Sequence, residues 1–246
     1  MAIGTDIEFG CLRDNTLIVA GKVGCNGMKG NPIMFDTGGV EVDCVSLELT
    51  MPPSTAAEEF RDKLIAHMEF AQSYYNVEFL MSDFAIYKKS QLRGSQANTF
   101  GCEPDFNVYT GGMQSVAPPA NGLRTFGGHI HVSGEMERTY MVVAMDLYVG
   151  LYCTAMGYES ATRKELYGKA GSYRPKPYGI EYRTVGNGWC YDAASIFEKT
   201  MTALEKHKNI VNILQASEID VTSLRNVIDT ADVDVANIYL DRLTHV

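Results

Sequence analysis

The chain has 246 residues, 46% apolar and 21% charged, which suffices for a sizeable core and excludes general disorder. Its 21 Lys and Arg stand against 30 Asp and Glu, a formal charge of −9. The broad basic footprint of a nucleic-acid binder is therefore absent, and any phosphate must be held by a few placed arginines or by metal ions.

Residues 1–50 alternate like strands broken by glycines, as in "IGTDIEFG", "TLIVAGKVG" and "VSLELTMPP", and predict several antiparallel strands closed by Pro52-Pro53. Thr55-x-x-Glu58 reads as a capping box opening a helix with the apolar stripe Phe60, Leu64, Met68 and Ala71. From Arg93 to Leu123 the chain turns to Gly, Pro, Asn, Gln and Ser around "FGCEPDFNVYTGGMQSVAPPANG", and a long ordered loop is more often functional than decorative. The strand "TFGGHIHVSG" follows. "YMVVAMDLYVGLYCTAM", Tyr140 to Met156, approaches the length of a membrane span, but Asp146 interrupts it and a buried core helix is expected instead. "RKELYGKAGSYRPKPYGIEYRTVGNGW" is a second loop-to-strand passage. From about Ala193 the pattern is helical to the end, with Ile196, Met201, Leu204, Val211 and Leu214 on one amphipathic face. With no repeat, low-complexity tract or linker, one α+β domain over residues 1–246 is expected. Cys11, Cys25, Cys44, Cys102, Cys153 and Cys190 include no C-x-x-C pair and read as reduced, mostly buried thiols. Without a leader-like N-terminus, cytoplasmic residence and no membrane partner are expected.

Residues two apart in a strand share a face. In "GGHIHVSG", His129, His131 and Ser133 oppose Ile130 and Val132; in "IGTDIEFG", Asp6 and Glu8 oppose Ile3, Ile7 and Phe9. In "YGIEYRTV", Glu181 and Arg183 oppose Ile180 and Tyr182, and in "VSLELTM" Ser46, Glu48 and Thr50 oppose Val45, Leu47, Leu49 and Met51. Any one of these alternations fits a solvated sheet face. Together, Asp-x-Glu, Glu, His-x-His and Glu-x-Arg supply a metal and phosphate chemistry: Mg²⁺ and Mn²⁺ take carboxylate oxygens, with an imidazole suited to manganese, and an arginine holds the phosphoryl group that the ions bridge. A zinc hydrolase is less well supported, since neither H-E-x-x-H nor a Cys/His set is present. P-loop, dinucleotide and G-x-S-x-G signatures are absent too.

In that order, "GTDIEFG", "VSLELTMPP", "FGCEPDFN", "FGGHIHVSG" and "YGKAGSYRPKPYGIEYRTVGNGW" resemble the phage-type COOH–NH2 ligases, small amidoligases of the glutamine synthetase and glutamate–cysteine ligase superfamily. The resemblance covers about residues 1 to 190. It implies an α+β fold, a curved, mainly antiparallel sheet whose concave face holds ATP and two or three Mg²⁺ or Mn²⁺ ions, with helices packed on the other face. By the same resemblance Glu8, Glu48 and Glu41 would hold one ion, and Asp6, His129 and Glu181 another. His131 would sit near the nucleotide phosphates and Arg183 would grip the transferred γ-phosphate, with Arg163 and Arg174 as further clamps. The superfamily more often has Glu where this chain has Asp6, one methylene shorter, which leaves open the ion it serves. Glu103, Asp105 and Asn107 are candidates for substrate contact, with an Asx-rich turn the alternative for Asp105 and Asn107.

The reaction expected from this resemblance is ATP-dependent carboxylate–amine ligation through an acyl phosphate, on small-molecule, peptide or protein substrates, with residues 93–123 as a lid. Two alternatives stay open, a metal-dependent phosphohydrolase and a non-catalytic metal–nucleotide binding protein. A homo-oligomer also stays open, because larger relatives complete their sites across subunits. If the chain is phage-encoded, its compartment is the host cytoplasm.

Overall fold

In the computed structural model, residues 1–93, 105–114 and 121–246 are described. The strands are β1 (Ile3–Arg13), β2 (Thr16–Ile18), β3 (Ile33–Phe35), β4 (Gly38–Asp43), β5 (Ser46–Ser54), β6 (Glu78–Leu80), β7 (Phe84–Ile86), β8 (Asp105–Asn107), β9 (Met113–Gln114), β10 (Leu123–Thr125), β11 (Gly128–Ser133), β12 (Ser172–Lys176) and β13 (Gly179–Tyr182). One large sheet runs β3-β4-β5-β1-β11-β13-β12-β8-β9, with every pair along it antiparallel, and β2 and β6 pair with the far end of β1. The sheet stays open. The fold is α+β, as the sequence leads one to expect.

One sheet face carries the expected apolar set. Ile7, Leu49, Ile130 and Ile180 are fully buried there, in one core with Phe60, Leu64, Met141, Leu147 and Phe197 from the helices. At roughly 1.5–3 kcal/mol for each large apolar side chain buried, this contact fixes which strand face points away from the helices. A one-residue slip would exchange the faces.

Several local expectations are corrected. Helix α1 (Ala57–Tyr75) has Ala56 as its N-cap and no side-chain cap; the Thr55 N–H donates instead to Glu59 Oε2 at 3.4 Å, so the Thr55–Glu58 box does not form. Its stripe of Phe60, Leu64, Met68 and Ala71 is buried as expected, joined by His67. Strand β5 runs through Pro52-Pro53 to Ser54, and a register shift opposite Ile3 to Thr5 accommodates the prolines. In "TLIVAGKVG" only Thr16–Ile18 is a strand, followed by a 3₁₀ turn at Ala20–Lys22.

The apolar stretch is a core helix over 138–155 that widens into a π-turn at Asp146–Gly150, and no described helix is long and apolar enough to cross a membrane. Asp146 explains the interruption. Fully buried, it accepts hydrogen bonds from the Tyr109 and Tyr182 hydroxyls at 2.7 and 2.6 Å, tying the helix to the sheet. The final segment is not one helix: Ala193–Lys206 breaks at His207–Asn209 before Ile210–Ala216, which rotates Val211 out to solvent and leaves Ile196, Leu204 and Leu214 inside. The five cysteines among the described residues are free, with Cys11, Cys153 and Cys190 buried.

Candidate active site

The strand registers bring the polar residues into one field. Glu41 lies opposite Glu48 across β4–β5, and Glu48 opposite Glu8 across β5–β1. Asp6 lies opposite His129 across β1–β11, His131 opposite Glu181 across β11–β13, and Glu181 opposite Arg174 across β13–β12. All of them but His131 line a cavity of about 480 Å³ with two unlike walls. Glu8, Glu41, Asp43 and Glu48 form an acidic wall on β1, β4 and β5; Arg174, Lys176 and Arg183 form a cationic wall at β12 and β13.

On the acidic wall, ligand oxygens of Glu8, Asp43 and Glu48 all lie within 4.8 Å of one another. Burial, then the charge of Asp43, pushes Glu8 up to about 7 despite the Gly127 N–H donated to its Oε2 at 2.6 Å. Glu48 is raised well above the ordinary carboxylate range by burial and by the charges of Glu8, Asp6, Asp43 and Glu41. The donor set is all oxygen and close enough to converge on one point, with the Lys29 ammonium 2.8 Å from Asp43 Oδ2. It fits a hard divalent cation. Glu41 is turned partly to another use, since its Oε2 accepts the Gly30 N–H at 2.9 Å.

The cationic wall is already knit together. Arg183 is paired with Glu181, donates from Nη1 to His129 Nδ1 at 3.1 Å, and sets Nε 2.7 Å from Asp105 Oδ1. Its Nε also lies 2.8 Å from the Tyr167 hydroxyl, and its guanidinium sits over the Tyr167 ring. Lys176 Nζ lies 2.7 Å from Glu181 Oε2. Burial alone would raise Glu181, but the Arg183 charge and the Lys176 hydrogen bond oppose it, and the carboxyl is held well below its ordinary range. Burial and the Arg183 charge lower His129, so its imidazole is neutral and able to act as a ligand. His131 Nε2 lies 2.9 Å from Asp6 Oδ2, and His131 Nδ1 bonds the Tyr178 hydroxyl.

A second cavity of about 370 Å³ shares Asp6 with the first. Its lining of Met51, Pro53, His131 and Tyr178 over Gly4 is predominantly apolar.

The structure thus brings Asp6, Glu8, Glu41, Glu48, His129, Glu181, Arg183 and Arg174 to one cavity, with His131 in the wall of the next. Arg163 is placed elsewhere, and its expected role as a clamp on phosphate is corrected. It is fully buried, and donates to the backbone carbonyls of Phe126, Thr184 and Val185 at 3.1, 2.6 and 3.0 Å. Lys164 and Glu159 complete this buried knot, Lys164 Nζ lying 2.7 Å from Glu159 Oε2. Asp105 stands behind Arg183 and Arg174. Asn107 has both ends of its amide engaged, donating to Ala170 O and accepting from the Tyr109 and Thr110 N–H groups, so the Asx turn prevails there over substrate contact. Glu103, and residues 94–104 and 115–120 of the expected lid, lie outside the described residues.

Asp43, Lys29, Lys176, Tyr167 and Tyr178 were not singled out by the sequence reading. For two of them a signal exists: Glu41 and Asp43, like Arg174 and Lys176, are two apart in a strand and so share a face. Comparison with known families adds an independent observation. Residues 103–219 match the phage phiEco32-like COOH·NH2 ligase family, type 2. The matched segment contains the histidine strand, both strands of the cationic wall and the Arg163 knot; Asp6, Glu8, Glu41, Asp43 and Glu48 precede it. No curated protein matches the chain.

Proposed function

We propose that the chain is an ATP-dependent carboxylate–amine ligase that activates its acid as an acyl phosphate. The family name supports a ligase of a carboxyl and an amino group. The observation that carries the rest is the two-walled cavity, in which carboxylates able to collect cations face arginines and a lysine able to collect phosphate.

The apolar cavity beside Asp6 suits the flat base of the nucleotide, Gly4 leaving the floor open. His131, Arg174, Lys176 and Arg183 would then be the residues to receive its phosphates. Glu8, Asp43 and Glu48 would hold one Mg²⁺ or Mn²⁺, and Asp6, His129 and Glu181 offer a second set of ligands. When bound, the ions neutralise phosphate charge. Asp105 and Tyr167 hold the Arg183 guanidinium at a fixed angle, so a γ-phosphate meets a preorganised donor.

An oxygen of the acid's carboxylate bonds to the γ-phosphorus as the bond to the ADP oxygen breaks. The amine nitrogen then bonds to the acyl carbon, phosphate leaves with the electron pair, and the nitrogen loses a proton. The acid and amine belong to small molecules, peptides or protein side chains.

ADP release from ATP with Mg²⁺ or Mn²⁺ and pooled amino acids and polyamines, for wild type, Glu181→Ala and Arg183→Ala, tests this reading. ADP formed only with both an acid and an amine, and lost in both variants, is the expected result. Phosphate release indifferent to the amine would make the protein a phosphohydrolase instead, and tight ATP binding without turnover would make it a binding protein.

A further inference from the structure

The acidic wall already has a cation leaning on it. Between β2 and β3 the chain makes a tight turn at Met28–Asn31, closed by the Asn31 N–H on Met28 O at 2.7 Å, with Gly30 at φ 75°. Glycine takes that conformation without a Cβ penalty. The preceding Gly27 lies flat on β4, where an added Cβ would come within 2.3 Å of Val40 O. Two neighbouring residues of the turn then engage the two acidic residues on one face of β4. Gly30 donates its N–H to Glu41 Oε2 at 2.9 Å, and Lys29 sets Nζ 2.8 Å from Asp43 Oδ2. Asp43 is also one of the three carboxylates whose oxygens converge within 4.8 Å. Its side chain is buried, whereas that of Lys29 is about half exposed (6% and 45%), so the lysine can withdraw into water and the aspartate cannot.

We propose that Lys29 competes with the divalent ion for Asp43. The ammonium compensates the acidic wall before the ion arrives, and gives up Asp43 when the ion takes it. The glycine-flanked turn lets Lys29 leave without disturbing β4. This inference rests on the reading of Glu8, Asp43 and Glu48 as an ion site.

The test is Mn²⁺ binding to the full chain without nucleotide, read by the electron paramagnetic resonance of free Mn²⁺. The proteins are wild type, Lys29→Met, Lys29→Arg, Asp43→Asn and the Lys29→Met/Asp43→Asn double variant, each shown to be folded by its melting curve. Lys29→Met is expected to bind Mn²⁺ about three- to tenfold tighter than wild type, and Lys29→Arg, which keeps the charge, to stay near wild type. Asp43→Asn is expected to bind more weakly, and the lysine substitution to have no further effect in that background. That last comparison separates competition for one carboxylate from the general field of a lost positive charge, which would persist without Asp43. Equal Mn²⁺ affinity in wild type and Lys29→Met, or a gain that survives in the Asp43→Asn background, would overturn the inference and leave the ion site standing. Absence of Mn²⁺ binding by folded wild type and Lys29→Met would overturn the ion site as well.

Discussion

Glu8 and Glu48 are direct cross-strand partners on the polar face of β1 and β5. Like charges so placed repel, and their oxygens converge with those of Asp43. Both carboxyls are raised above the ordinary value of 4.5, Glu8 to about 7. A carboxyl raised on folding binds its proton more tightly in the folded state, so stability falls as pH rises from the unfolded value through the folded one. Glu181 is lowered on folding and acts oppositely, adding stability as pH rises through the range below 4.5. In metal-free buffer, the thermal midpoint is therefore expected to rise with pH through the range below 4.5 and to fall above about 6.5, where the lowered His67 and His129 no longer oppose the two raised glutamates. Mn²⁺ is expected to restore most of the loss at the upper end. Melting curves across pH, with and without Mn²⁺, check both signs.

Removing one of the repelling charges should substitute for the ion. Glu48→Gln keeps the side-chain volume and lifts the repulsion, and is expected to raise the midpoint of the metal-free protein by a few degrees above pH 7. The same variant is expected to lose most of its response to Mn²⁺. Calorimetry of wild type and variant with increasing Mn²⁺ decides.

The buried knot of Glu159, Arg163 and Lys164 predicts a structural effect of unusual size for charged residues. Arg163→Ala strands the carbonyl of Phe126, takes one donor from those of Thr184 and Val185, which keep Lys164 Nζ and the Gly128 N–H, and leaves Glu159 with Lys164 and the Gly186 N–H. It is expected to cost about 3 to 5 kcal/mol, roughly ten degrees in a chain of this length. Gly168→Ala should damage the same place from outside, since its residue has φ 69° and an added Cβ would lie 2.0 Å from Arg163 Nη1. Urea titration of both variants measures the loss.

Gly4 predicts an effect on nucleotide binding without an effect on stability. A Cβ built there meets its nearest atoms at 3.7 Å, ordinary contact, yet occupies the floor of the apolar cavity. Gly4→Ala is therefore expected to melt as wild type does and to weaken ATP binding several-fold. Tyr178→Ala, which removes the wall that bonds His131, is expected to weaken it further. Titration calorimetry with ATP measures both.

Much of this site is legible in the sequence. Strand alternation has a period of two, so Asp6 and Glu8, His129 and His131, and Glu181 and Arg183 had to share faces once their apolar neighbours were buried. What alternation does not carry is which strands are neighbours. The β4–β5–β1 order made Glu48 the meeting point of Glu41 and Glu8, and brought in Asp43. The family resemblance alone offers Arg163 as a clamp on phosphate or carboxylate; its burial depends on three carbonyls distant in sequence and on the glycine at position 168. Lys29 sits in a turn, where neither period nor motif announces a contact with Asp43. The break at His207–Asn209 that turns Val211 outward likewise follows from packing rather than pattern.

The most direct test of the central claim follows an oxygen atom. Wild type is supplied with ATP, Mg²⁺, an amine pool and a pool of acids whose carboxylates carry heavy oxygen, and the released phosphate is weighed by mass spectrometry. Activation as an acyl phosphate predicts one heavy oxygen in each phosphate released, transferred from the acid, with ADP formed in equal amount. Phosphate that takes its new oxygen from water alone, at a rate unaffected by acid or amine, would contradict the account.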